Sequence, residues 1–116
     1  MSFAKQLAEK IVALDESCLD DKLLLELKRG IVDVVGVTLA GAREQCAKIA
    51  LMSVGGGNGG PAQIVGSSAR AEVLDAATVN GTAAHALDFD DCNNSMGGHP
   101  SAPAFAAVAA LGDEVN

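Results

Sequence analysis

The sequence predicts an all-α fold with at most one short β segment, near residues 62–66. Three observations carry this. Apolar residues recur at spacings of three and four, which places them on one face of a helix. Residues suited to capping stand at the start of most such stripes. Alanine dominates the apolar positions from residue 76 on. The 116 residues suit one domain, and with 49% apolar and 20% charged residues the chain can bury a core.

Ser2 can cap a first helix, whose face is Phe3, Leu7, Ile11 and Leu14; it is expected to end around residues 15–18. Asp20 or Asp21 starts a longer helix. Its stripe is Leu24, Leu27, Ile31, Val34 and Thr38, widened by Leu23, Val35 and Leu39. From Ile31 to Ala40 nearly every side is apolar, so this helix is expected to be central and surrounded. Gly30 and Gly36 each lower its propensity by about 1 kcal/mol relative to Ala, which close packing of other helices there would explain. Gly41 is a natural stop. A third helix, residues 43–53, presents the small face Cys46, Ile49, Ala50 and Ser53 and breaks at the Gly55-Gly56-Gly57-Asn58-Gly59-Gly60-Pro61 loop. After the short extended segment and a turn at Gly66-Ser67-Ser68, Asp75 can cap a helix over residues 76–87. Asn80-Gly81 inside it is a turn signal. A polar loop over residues 88–99 leads to a last helix, with Ser101 as cap and Pro103 in its first turn. Ala-rich helices need tight burial, and 116 residues supply little to bury them. The chain is therefore expected to be a single partial helical domain, the N-terminal part of a larger protein.

Composition narrows the function. Phe3, Phe89 and Phe105 are the only aromatic residues, too few to stack nucleic-acid bases. The net charge of −7 opposes binding to a phosphate backbone. That charge is uneven: all eight Lys and Arg lie in residues 1–70, which are neutral overall, and residues 71–116 hold seven acids and no Lys or Arg. Cys18, Cys46 and Cys92 are odd in number and widely spaced, which suits a reducing compartment. The first residues hold no signal-type apolar run and no stretch approaches a membrane span, so a cytoplasmic protein is expected. Gly55, Gly57 and Gly60 match GxGxxG, but a helix precedes them and Pro61 follows, where a dinucleotide site needs a strand and then a helix.

The chemistry concentrates in residues 85–101. This stretch holds both histidines, His85 and His99, the acids Asp88, Asp90 and Asp91, and Cys92. A carboxylate beside an imidazole is basic equipment for proton transfer. His85 and Asp88 share a face if the helix continues, and His99 could swing toward the acids. Two other readings stay open on spacing alone. An acidic loop is often only solvated, and a His before Pro at a helix start often only satisfies local backbone. His85, Asp88, Cys92 and His99 also offer mixed metal ligands, without the paired-Cys or HxxxH spacing of a zinc site.

The segment Asn80-Gly81-Thr82-Ala83-Ala84-His85-Ala86-Leu87-Asp88-Phe89-Asp90-Asp91, followed by His99-Pro100-Ser101-Ala102-Pro103, resembles the MmgE/PrpD family. The segments at residues 31–41 and 75–81 resemble the family's opening helices. That family includes 2-methylcitrate dehydratases, cis-aconitate decarboxylases and an iminodisuccinate epimerase. The resemblance implies the first part of a large all-helical domain, which in the family is joined to a smaller α+β lid and forms the dimer contacts. It implies a lyase acting on a small tricarboxylate-type acid, with dehydration of a 2-methylcitrate-like substrate foremost. No cofactor or metal is expected, and a homodimer is. By the same resemblance Asp88 and His99 are catalytic, and Cys92, Asp91 and His85 lie where substrate is contacted. Asp91 also suits a structural role, and His85 could orient the loop. Cys92 stands where the family commonly has Thr, and a thiol is the poorer hydrogen-bond partner. The family's lysines and a further histidine come from later in the chain, so residues 1–116 alone are expected to be inactive. The alternative is a non-catalytic truncated helical module that self-associates.

Overall fold

Helix starts follow the caps that the sequence supplies at its beginning. In the computed structural model, which describes residues 2–57 and 59–115, Ser2 accepts from the Lys5 amide and opens α1 (Phe3–Val12). A 3₁₀ turn at Glu16–Cys18 is held by Asp15, which accepts from the Ser17 amide at 2.8 Å and from its hydroxyl. Those two bonds hold the Asp15 carboxyl below its ordinary pKa. Asp20 caps α2 (Asp21–Gly41) by accepting from the Leu23 amide at 2.7 Å. Then come α3 (Gln45–Ser53), strands β1 (Ala62–Gln63) and β2 (Arg70–Ala71), α4 (Val73–His85) and α5 (Ser101–Val115). The all-α expectation holds. The extended segment at residue 62 has a partner the sequence did not announce, since β1 pairs antiparallel with β2, Ala62 opposite Ala71.

Helix α4 is the hub, packed against α5, α2 and α3. One core cluster joins Ala62, Ile64, Ala71, Ala76, Val79 and Ala110. A second joins Val34, Ala84 and Ala102 with Phe105 alongside, and so ties the end of α4 to the start of α5. Small side chains let these helices approach closely. A Cβ on Gly41 would stand 2.0 Å from the Ala83 carbonyl oxygen, so α2 meets α4 backbone against backbone.

Several expectations are corrected. Helix α2 is not surrounded: its buried residues are Val34, Thr38 and Gly41, and Leu23, Leu24, Leu25, Leu27, Ile31 and Val32 are exposed. Gly30 and Gly36 do not mark close packing, because a Cβ at either would meet nothing within 4 Å. Helix α4 begins at Val73, with Glu72 in the capping position and Asp75 inside the first turn. Ser101 is the first residue of α5 rather than its cap; its amide donates to the Asp91 carboxylate at 3.0 Å. Asn80-Gly81 does not break α4, because Asn80 has a tertiary task there. Its buried side chain donates to the Gln63 carbonyl and accepts from the Val65 amide, both at 2.9 Å.

The glycine run is not a phosphate cradle. The Gly59 amide donates to the Arg70 carbonyl, and the Arg70 guanidinium donates to the Gly60 and Pro61 carbonyls. Gly60, at φ +133°, has no room for a Cβ against Ala71. Asn58 lies outside the described residues.

Helix α1 buries none of its residues, and Phe3, Leu7 and Ile11 are exposed. With α1 and the first half of α2 burying nothing, the molecule measures 44 × 30 × 28 Å and its radius of gyration is 15.6 Å, against about 13 Å for a compact chain of this length. An open apolar groove of about 500 Å³ runs between α2 and α5, floored by Leu27, Ile31, Val34 and Phe105. Among the described residues no helix is long and apolar enough to cross a membrane.

Candidate acid–base site

The polar loop is folded back by one residue. Helix α4 ends at His85, and Asp88 takes φ +55°, a left-handed conformation that Asp tolerates better than most side chains. That turn sends the chain beneath the end of α4 and buries Asp90. Asn93 closes the loop. Its carboxamide accepts from the Ser95 and Met96 amides, and its backbone pairs with Gly98. His99 is thereby set beside Asp90 at the start of α5.

Four side chains converge. The Asp90 side chain, 1% exposed, lies 2.9 Å and 3.1 Å from His85 Nδ1 through its two oxygens. His99 Nδ1 lies 3.4 Å from Asp90 Oδ1 and 3.3 Å from the Asp90 backbone carbonyl. On the far side of the ring, His99 Nε2 is 3.5 Å from Asp88 Oδ1. The two imidazoles meet edge to face, with centroids 4.7 Å apart. Exposure falls from Asp88 (76%) through His85 (55%) to His99 (29%), so the cluster opens to solvent over a buried base. The Asp90 carboxylate, hydrogen-bonded to Nδ1 and adding its charge, holds His85 above the ordinary histidine pKa; Asp88 contributes in the same direction and slight burial opposes.

Of the residues singled out in the sequence, His85, Asp88 and His99 come together, and Asp91 and Cys92 do not join them. Asp91 spends a carboxylate oxygen on the Ser101 amide, where a negative charge also suits the helix N-terminus. Cys92 is exposed, with Asn94 Oδ1 at 4.0 Å as its partner. Asp90 was missed. The alternation Asp88-Phe89-Asp90 carries no burial signal, and the left-handed turn that hides Asp90 is invisible in it.

One donor atom each from His85, Asp88, Asp90 and His99 lies within 4.8 Å of the others. This nitrogen and oxygen set is of a type that divalent transition metals accept, with Asp90 in the place the sequence suggested for Cys92. None of the four lines the apolar groove. The Lys and Arg ion pairs among the described residues, Lys5–Glu9 and Arg29–Glu26, lie on α1 and α2, away from the cluster.

Fold and site together define a helical domain that presents paired imidazoles and carboxylates between the end of one central helix and the start of the next. The chain matches the MmgE/PrpD N-terminal domain over residues 5–116 and belongs to the MmgE/PrpD family. No curated protein and no solved structure compared with the chain matches it.

Proposed function

We propose that the chain is the N-terminal segment of a MmgE/PrpD-like lyase that dehydrates a small tricarboxylate-type acid, 2-methylcitrate foremost. The observation that carries this is His99 standing between two carboxylates, with Nε2 3.5 Å from the exposed Asp88. In such a dehydration His99 Nε2 takes the proton from the carbon beside a substrate carboxylate. The electron pair forms the new double bond, and the hydroxyl on the next carbon leaves as water with a proton given by the imidazolium form of His85. Asp88 shares the proton that His99 acquires.

The substrate's negative charges need cations. Residues 71–116 hold no Lys or Arg, so this reading places the cations on chain beyond Asn116 and expects residues 1–116 to be inactive alone. It also expects a cytoplasmic homodimer, in keeping with the exposed apolar faces of α1 and α2. Those same faces favour the second reading, a non-catalytic helical module that self-associates.

The two readings part on turnover. A polypeptide continuing past Asn116 is expected to dehydrate 2-methylcitrate in preference to decarboxylating cis-aconitate, with His99→Ala and Asp88→Ala each lowering kcat about 10²- to 10⁴-fold. Turnover by residues 1–116 alone refutes the expectation that further cations are needed, and unchanged kcat in His99→Ala refutes the role given to His99. Self-association with no turnover by the longer polypeptide selects the second reading.

A further inference from the structure

We propose that Asp90 is the positioning residue of a two-histidine acid–base unit: its buried carboxylate holds His85 and His99 as Nδ1–H tautomers, leaving a basic Nε2 on each ring. The inference deepens the lyase reading and rests on it for its catalytic meaning, but the geometry stands by itself.

An ionised carboxylate and a backbone carbonyl only accept hydrogen bonds. His85 Nδ1 faces both oxygens of the Asp90 carboxylate. His99 Nδ1 faces the Asp90 backbone carbonyl and Oδ1. His85 Nδ1 therefore carries the hydrogen, and on His99 the two acceptors at 3.3 Å and 3.4 Å from Nδ1 outweigh the single exposed Asp88 oxygen 3.5 Å from Nε2. A neutral imidazole has one N–H, so the lone pair falls on Nε2 in both rings. On His99 that lone pair looks toward Asp88, and the contact becomes a hydrogen bond once a proton arrives. At His85, Asp90 engages only Nδ1, which leaves Nε2 for the lone pair. Asp90 is 1% exposed and cannot turn to water, so the bond at one nitrogen sets the chemistry at the other. Dehydration needs two proton transfers, one from carbon and one to the departing hydroxyl. A neutral ring accepts the first at its Nε2, and a ring in the imidazolium form, which carries hydrogens on both nitrogens, gives the second from its Nε2.

The test is nitrogen-15 NMR of the 116-residue chain, with long-range proton–nitrogen correlations recorded above the histidine titration range. Both rings are expected as Nδ1–H in the unaltered protein. In Asp90→Asn the amide oxygen can replace Oδ1 but the charge is gone. Both tautomers should persist, and the His85 titration midpoint should move down toward the ordinary value. In Asp90→Ala, His85 loses its acceptor and should pass to Nε2–H, and His99 should stay Nδ1–H on the backbone carbonyl. An Nε2–H tautomer on either ring of the unaltered protein overturns the proposal. So does an unmoved His85 midpoint in Asp90→Asn. If Asp90→Ala fails to fold, the unaltered protein and the near-isosteric Asn variant decide. None of these spectra needs turnover, so their outcome is separate from the fate of the lyase reading.

Discussion

Replacing Gly41 by Ala puts a methyl group where α2 and α4 meet. The new Cβ would lie 2.0 Å from the Ala83 carbonyl oxygen, 3.0 Å from its carbonyl carbon and 3.1 Å from the Ala86 Cβ, where ordinary contact begins at 3.4 Å. The nearest obstacle is backbone, so no rotamer change relieves it, and the helices must part by about 1 Å. Overpacking of this kind costs about 1–3 kcal/mol, occasionally more. Ala in place of Gly returns up to about 1 kcal/mol of helix propensity. With a backbone atom as near as 2.0 Å the upper end of that range applies, and the balance is a loss of about 2 kcal/mol. Gly36→Ala is the internal control. It lies on the same helix with nothing within 4 Å of its Cβ, so it should gain about 1 kcal/mol. The chain has no Trp or Tyr, so urea unfolding is followed by far-UV circular dichroism. With a slope of about 1–3 kcal/mol per molar urea, the two variants should differ in midpoint by about 1 M or more. A Gly41→Ala protein as stable as the unaltered one would refute the backbone-to-backbone packing, and with it the seating of α4 just before His85.

Three further outcomes follow from the same geometry. Asn80→Ala leaves the Gln63 carbonyl and the Val65 amide without their side-chain partner, which should cost about 2–4 kcal/mol in the same unfolding assay; a loss under 1 kcal/mol would show that water replaces both bonds. His85 titrates higher in the folded chain than in the unfolded one. Its contribution to stability is therefore complete below the ordinary value of about 6.5 and is lost as pH rises through the folded-state value. The melting temperature of the unaltered protein should fall relative to His85→Gln across that window, and parallel pH profiles would refute the pairing. Asp88→Gly removes the carboxylate and also the backbone cost of φ +55°, so it should be about 1 kcal/mol more stable than Asp88→Ala; equal melting temperatures would mean that residue 88 is not held left-handed.

Much of this protein was legible in the chain alone. Ser2 and Asp20 marked helix starts through a local bond from side chain to amide, which needs no tertiary context. The three-four stripes located the helices, and the residues at 80–91 and 99–103 carried the family. Local signals erred where a distant partner outweighed them. Asn80 reads as a turn residue and is a helical one, because its amide group finds β1 and the residues after it. Gly36 reads as a contact point and faces open space; Gly41 ends α2 as it reads, and is also the contact that no local signal announced.

The candidate site divides the same way. The sequence by itself determined the helical class, the family and the presence of two histidines among three acids within residues 85–99. Only the tertiary structure decided which acid each histidine meets. The left-handed turn at Asp88 reverses the chain, so that Asp90, five residues from one imidazole and nine from the other, bonds to both. Helical periodicity reports neighbours along one continuous helix. It is silent once the helix has ended, and there backbone direction and burial choose the partners.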